Sequence, residues 1–336
     1  MKAMVLTAPG EVTRRDVERP AALGAQALVR VTHSGICGTD LKIFQGDIPV
    51  THPLIMGHEM IGALVEGGDG LAAGTRVIVD PGVFCGHCFH CRAGQTNLCP
   101  NGHLLGRDRD GGFADYLVAP PGNIFPLPDE IGDQEAPMLQ VLTTCLHAQR
   151  LAQIFPGEAV VVLGLGVTGQ LHAQLAKARG AHPVIGITRS PWKRELAEEL
   201  GADLVLAPDD TTEARVRDAT DGRGADLVIE TVGQLPVLAQ AIELARIGGR
   251  LLTFGIYTSR KADLPFYQLY FKELAMVNGR AAKGEDFPAS IDLVRRQAVR
   301  LKPLVSHTLP VTELAQALGL LTATGARSMK VVLEHA

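Results

Sequence analysis

One feature constrains this chain more than any other: an apolar strand runs straight into a glycine turn and then a helix. Ala159 to Leu163 reads AVVVL, Gly164-Leu165-Gly166-Val167-Thr168-Gly169 follows, and helical spacing runs from Gly169 to Arg179. A strand without polar alternation is covered on both faces, which is the condition of a parallel sheet with helices on either side. Downstream, strands are expected at Pro183 to Thr188, Leu204 to Leu206, Leu227 to Glu230 and Arg250 to Phe254. Helices are expected between them at Trp192 to Leu200 and Pro236 to Arg246. Strand and helix alternate, so this part reads as a doubly wound α/β sheet.

The glycine turn also carries chemistry. Gly164, Gly166 and Gly169 permit a tight turn and close approach of backbone to a pyrophosphate, and the N-terminus of the helix that the turn opens offers free N–H groups, with Val167 and Thr168 of the turn as further cofactor contacts. A glycine-rich turn alone is a weak signal; the strand before it, the helix after it and the second strand behind make it a dinucleotide site. An acidic residue at the end of that second strand would accept from a ribose 2′-hydroxyl. Thr188 stands there instead, Arg189 follows, and Lys193 lies four residues on. A guanidinium attracts the 2′-phosphate that a carboxylate repels, which favours NADP(H) over NAD(H). The alternative is that Arg189 is a solvated surface residue and the site takes either cofactor.

With 336 residues, two domains are expected. The first part differs in texture: short apolar or alternating runs at Ala27 to Thr32, Glu59 to Glu66 and Arg76 to Asp80 are broken by Pro-Gly pairs, the mark of a β-rich domain. The end of the chain, from Asp286, gives a helix, a strand-like stretch, a helix at Val311 to Thr322 and a strand at Lys330 to Leu333.

Four of the six cysteines crowd together as C-x2-C-x2-C-x7-C: Cys85, Cys88, Cys91 and Cys99. Four thiolates this close surround one tetrahedral zinc with no open position, a structural site. Disulfides and an iron–sulfur cluster are the other readings, and His87 and His90 are competing donors. Upstream, Cys37-Gly38-Thr39-Asp40 and Gly57-His58-Glu59 supply a thiolate, an imidazole and a carboxylate, the donors of a catalytic zinc that keeps a position for substrate. The N-terminus has no signal-peptide pattern, which points to a reducing, cytoplasmic setting. A net charge of −4 without long runs of one sign argues against nucleic acid or an anionic membrane as partners, and no apolar run is long enough to span a bilayer.

The order CGTD, GHE, the four-cysteine lobe, DGGFADY (Asp110 to Tyr116), GLGVTG and GGRLLTFG (Gly248 to Gly255) resembles the zinc-containing medium-chain dehydrogenase/reductase family, and within it the sorbitol, threonine and sugar-alcohol dehydrogenases. That resemblance implies a GroES-like catalytic domain from residues 1–143 and 281–336, with the zinc lobe at about 81–102, and an inserted Rossmann domain at 144–280. It implies two zinc ions per chain, one structural and one catalytic, with Cys37, His58 and Glu59 approaching the latter. It implies that Thr39 bonds the alcohol and starts a proton relay, that Arg280 contacts the cofactor pyrophosphate, and that the protein is a homodimer or homotetramer. The reaction would be hydride transfer between a nicotinamide and a secondary alcohol, polyol or sugar.

Two positions depart from the family pattern. Gln140 falls where a further zinc ligand, usually Glu, Asp or Cys, is found; the amide oxygen is a candidate ligand, and Glu135 and Cys145 are less favoured substitutes. Lys42 stands where some relatives carry a relay histidine. A quinone or alkene reductase on the same fold and a non-catalytic NADPH-binding redox sensor are the competing functional readings.

Overall fold

The computed structural model describes residues 1–68, 70–258, 263–323 and 327–336. The chain divides into two compact units: Met1–Thr143 with Lys283–Arg295 and Leu301–Ala336, and Thr144–Ala282 with Arg296–Arg300.

In the first unit the strands are β1 (Lys2–Ala8), β2 (Glu11–Asp16), β3 (Ala27–Ile36), β4 (Leu54–Ile55), β5 (Glu59–Leu64), β6 (Arg76–Val79), β7 (Gly82–Val83), β8 (His103–Leu104), β9 (Tyr116–Ala119) and β10 (Ile124–Pro126). Helix α1 (Gly38–Gln45) follows β3, and the short α2 (Phe89–Arg92) sits among the cysteines. Helix α3 (Leu139–Ala152) begins in this unit and ends in the next.

In the second unit, β11 (Val160–Leu163) leads into α4 (Val167–Ala178), β12 (Val184–Ile187), α5 (Pro191–Glu199), β13 (Leu204–Leu206), α6 (Thr212–Asp218), β14 (Ala225–Glu230), α7 (Leu235–Leu244), β15 (Ala245–Thr253), α8 (Phe266–Phe271) and β16 (Ala275–Asn278). The chain then returns through α9 (Phe287–Arg295), β17 (Val305–Pro310), α10 (Leu314–Leu320) and β18 (Lys330–Glu334) to the first unit.

The second unit is a six-stranded parallel sheet of order β13-β12-β11-β14-β15-β16. The continuous apolar reading of β11 explains itself here. Val160 and Val162 pack into the core on one face with Val184, Leu227 and Ile229; Val161 and Leu163 pack on the other with Ile185, Ile187 and Val228. Each such side chain fully buried contributes roughly 1.5–3 kcal/mol before entropy is charged against it. Two sequence expectations shift. The helix after the glycine turn starts at Val167, since Gly166 is already its N-cap. The helix expected to reach Arg246 stops at Leu244, because Arg246 turns into β15 and pairs its guanidinium with Asp226 at 2.5 Å.

In the first unit the main sheet runs β10-β6-β5-β3-β18-β17, with β9 also on β3, and a second sheet runs β2-β1-β4. The last strand, β18, is inserted antiparallel beside β3, pairing Val332 with Gly35 and Val331 with Ile36. On the opposite side of β3, Gly35 pairs with Glu59 of β5. This three-strand neighbourhood sets up the site described next.

Candidate active site and metal centres

Cys37 closes β3 and caps α1, so its sulfur stands at a strand-to-helix corner. His58 and Glu59 open β5 beside it. The Sγ of Cys37, one ring nitrogen of His58 and one carboxylate oxygen of Glu59 lie within 4.8 Å of one another. Asp40, fully buried one turn into α1, accepts from the Cys37 N–H at 2.8 Å and lies 3.2 Å from His58 Nδ1. It therefore fixes both residues and leaves the other ring nitrogen of His58 for a ligand, the usual partnership of carboxylate, histidine and metal. Burial works against a charged His58, and the Asp40 carboxylate overrides it, lifting the imidazole well above its ordinary pKa.

Glu59 is wholly buried, and its carboxylate faces the ammonium of Lys330, itself only 2% exposed. Lys330 also donates to Ile36 O at 2.9 Å. Its side chain reaches Glu59 by crossing β3 at Gly35. A Cβ there would stand 2.2 Å from Glu59 Oε2 and 2.9 Å from Lys330 Cε, so only glycine leaves the passage open. Gly57, at φ +95°, is similarly tight: a Cβ would meet the Phe113 ring at 2.5 Å. These close contacts pack the corner where Cys37, His58 and Glu59 meet.

Thr39 lies in the first turn of α1, half-buried, and Lys42 lies in its last turn. Gln140 is half-buried in the first turn of α3. Of its suggested substitutes, Glu135 accepts from Gly132 N–H at 3.2 Å, and the buried Cys145, itself a residue of the second unit, has its thiol 4.0 Å from Thr168 O. Burial raises the Cys145 thiol pKa far above its usual range, which keeps it neutral.

The four-cysteine lobe forms a sulfur tetrahedron. The separations are 3.5 Å for Cys88–Cys91, 3.6 Å for Cys85–Cys99, 3.8 Å for Cys88–Cys99 and 3.9 Å for Cys85–Cys91. A tetrahedral zinc with bonds of about 2.3 Å requires edges of about 3.8 Å. All six cysteines are free thiols, so no disulfide competes. The backbone N–H of His87 is the chief cause lowering the Cys85 thiol, whereas burial and the neighbouring sulfurs raise that of Cys91, so the four thiols share their protons unequally. His87 and His90 face elsewhere: His87 Nδ1 lies 2.8 Å from Cys85 O, and His90 Nδ1 lies 3.1 Å from Gln95 Oε1.

In the second unit the glycine turn has the shape its sequence requires. Gly164 takes φ +88°, and a Cβ on it would strike Val232 Cγ2 at 2.6 Å. A Cβ on Gly169 would lie 1.8 Å from Gly164 O. Gly166, the N-cap of α4, faces open space, leaving its backbone clear for close approach by a phosphate. Thr188 follows the end of β12, with Arg189 exposed beyond it. Arg194, which the sequence did not single out, donates to the carbonyls of Thr188 at 2.8 Å and Arg189 at 3.2 Å, bracing that turn. Lys193 is half-buried with its ammonium 5.3 Å from the Trp192 ring, and Arg280 is exposed after β16.

Residues 24–129 match the model of the alcohol dehydrogenase GroES-like domain, and residues 167–296 match that of the zinc-binding dehydrogenases. A sorbitol dehydrogenase of Halalkalibacterium halodurans is 32% identical over 93% of this chain and 94% of its own length. An L-threonine 3-dehydrogenase of Pyrococcus horikoshii is 34% identical over 91% of each chain. Among solved structures, a zinc-binding dehydrogenase of Sinorhizobium meliloti 1021 bound to NADP superposes with a TM-score of 0.92 at 33% identity, covering 99% of this chain and 98% of its own. The chain belongs to the zinc-containing medium-chain dehydrogenase/reductase family. It is a zinc-dependent oxidoreductase acting on CH–OH groups, built from a GroES-like domain and a Rossmann domain.

Proposed function

We propose that the protein is a cytoplasmic NADP(H)-preferring dehydrogenase of a secondary alcohol, polyol or sugar, with one catalytic and one structural zinc per chain. The observation that carries the catalytic assignment is the buried convergence of Cys37, His58 and Glu59, with Asp40 and Lys330 behind them. Cys37, His58 and Glu59, with Gln140 as a candidate fourth donor, would hold a zinc that would supply Lewis acidity to an alcohol or carbonyl oxygen, and a bound nicotinamide would supply the hydride donor or acceptor. Asp40 keeps the His58 ring oriented. Thr39 accepts the alcohol proton and passes it toward solvent. Cys85, Cys88, Cys91 and Cys99 hold the structural zinc.

Gly164, Gly166, Val167, Thr168 and Gly169 take the pyrophosphate together with Arg280. The exposed Arg189, the adjacent Lys193 and the brace from Arg194 support NADP(H), as does the NADP bound by the Sinorhizobium relative. Oligomerisation is supported by the exposed aromatic side chains of α8, namely Phe266, Tyr267, Tyr270 and Phe271, beside the edge strand β16. Among the described residues no helix is long and apolar enough to cross a membrane.

The test is Cys37→Ser assayed on an alcohol panel with both NADP⁺ and NAD⁺. Turnover is expected to fall by orders of magnitude with dinucleotide affinity nearly intact. Retained turnover overturns the catalytic assignment, and inactivity of the wild type on every alcohol and carbonyl restores the redox-sensor reading.

A further inference from the structure

One buried carboxylate in the second unit has no part in the family motifs. Glu230 ends β14 and is 1% exposed. Its Oε1 accepts from the N–H groups of Val232 at 2.7 Å and Gly233 at 3.0 Å. Its Oε2 accepts from Gly233 N–H at 3.1 Å and from the Tyr257 hydroxyl. The carboxylate thus joins two strand-end segments, 231–233 after β14 and 255–257 after β15. They are packed so closely that a Cβ on Gly233 would lie 2.7 Å from Ile256 O, and one on Gly255 would lie 2.2 Å from Gly233 N. The first of these segments touches the glycine turn: Thr231 donates to Leu163 O at 2.9 Å and Gly164 O at 3.0 Å.

The position of this clamp in the sheet gives it meaning. The sheet is wound outward from β11, toward β12 and β13 on one side and toward β14, β15 and β16 on the other. Ligands of such sheets bind at the carboxyl ends of the strands where the winding reverses, here between β11 and β14. Thr188 and Arg189, which discriminate the adenosine ribose, follow β12. With the pyrophosphate at the start of α4, the nicotinamide half extends the other way, over the ends of β14 and β15. There Val232 and Ile256 show 44% and 64% of their surface to solvent, unusual for aliphatic side chains so near the sheet.

We infer that Tyr257 is a positioning residue for the cofactor: by anchoring its hydroxyl on Glu230 it holds segments 231–233 and 255–257 in the shape that receives the nicotinamide half of the dinucleotide. This rests on the dinucleotide reading of the glycine turn. The anchoring lowers the ordering cost that binding would otherwise carry, so its loss appears as weaker affinity for the whole dinucleotide and not for its adenosine half.

The test is calorimetric titration of wild type, Tyr257→Phe and Glu230→Gln with NADPH and 2′,5′-ADP, and with NADH and 5′-AMP. Loss of one hydrogen bond to a charged acceptor is expected to weaken whole-dinucleotide binding about ten-fold. The half-nucleotides should bind all three proteins alike. Unchanged dinucleotide affinity in Tyr257→Phe overturns the inference. So does an equal loss for the half-nucleotides, which marks general damage to the domain. A wild type that binds none of the four probes removes the dinucleotide reading itself, a distinct outcome.

Discussion

Replacing Lys330 with methionine isolates the least expected part of the metal site. The change keeps the length and apolar stem of the side chain and removes its charge. Glu59 is fully buried and Lys330 nearly so, so water does not take over the missing cation. An uncompensated carboxylate in such a place costs about 3–5 kcal/mol. For a unit of this size that is a fall in Tm of roughly 6–20 °C in zinc-stripped protein. With zinc restored, the dication beside Glu59 takes over part of the neutralisation, so the fall should be smaller. By linkage the variant then binds zinc more tightly than the wild type. Differential scanning calorimetry of stripped and reloaded protein, with competitive zinc titration, measures each quantity. The double variant Glu59→Gln/Lys330→Met removes both charges and should recover most of the stability lost in Lys330→Met alone. A stripped single variant as stable as wild type, or a double variant worse than the sum of the singles, would refute the reasoning.

Three further outcomes are expected. Arg189→Ala should weaken NADPH binding while leaving NADH binding nearly unchanged, read as a ratio of dissociation constants; an equal effect on both excludes a 2′-phosphate contact. Cys91→Ser should lower zinc content by one equivalent per chain relative to wild type by elemental analysis and bring on thermal unfolding early, since the lobe loses a corner of its sulfur tetrahedron; unchanged zinc content counts against the structural-zinc proposal. Burial, with Asp286 nearby, raises the Asp80 carboxyl to about 7, although the Gly82 N–H opposes it. The folded state therefore holds this proton more tightly than the unfolded chain. Stability contributed by Asp80 is complete in acid and drains away as pH rises from about 4 to 7. Asp80→Asn should come nearest to wild type at about pH 4 and exceed it in Tm by a margin that widens up to about pH 7; a constant offset across that range would count against the assignment.

The parts of the molecule legible in the sequence are those whose logic is local. The cysteine spacing places four sulfurs on two neighbouring turns, and AVVVL followed by GLGVTG writes a strand, a turn and a helix in eleven residues. Asp40 was within reach of the same reasoning, because it stands three residues after Cys37, the position that answers a helix cap. Lys330 was not. It looks like an ordinary charge opening a terminal strand, and its role depends on Gly35 and Glu59 in strands far away in the chain. The error at Arg246 has a similar origin. Helical spacing carried the prediction past Leu244, but an ion pair with Asp226 and the glycines at 248 and 249 turn the segment into β15. Glu230 shows the same limit, since an acidic residue closing an apolar strand gives no sign that it joins two loops.

The pairing of β18 with β3 also governs how the protein is made. The bond from Lys330 to Ile36 spans 294 residues, and the whole of the second unit lies inside that loop. The second unit draws its contacts from a nearly continuous stretch of chain, so it is free to fold first and shorten the loop the first unit must close. Until β18 arrives, β3 presents an open edge suited to pairing with another chain, and Glu59 waits without its cation. The corner formed by Cys37, His58 and Glu59 is therefore completed by the last strand of the chain, across the longest loop that the first unit has to close.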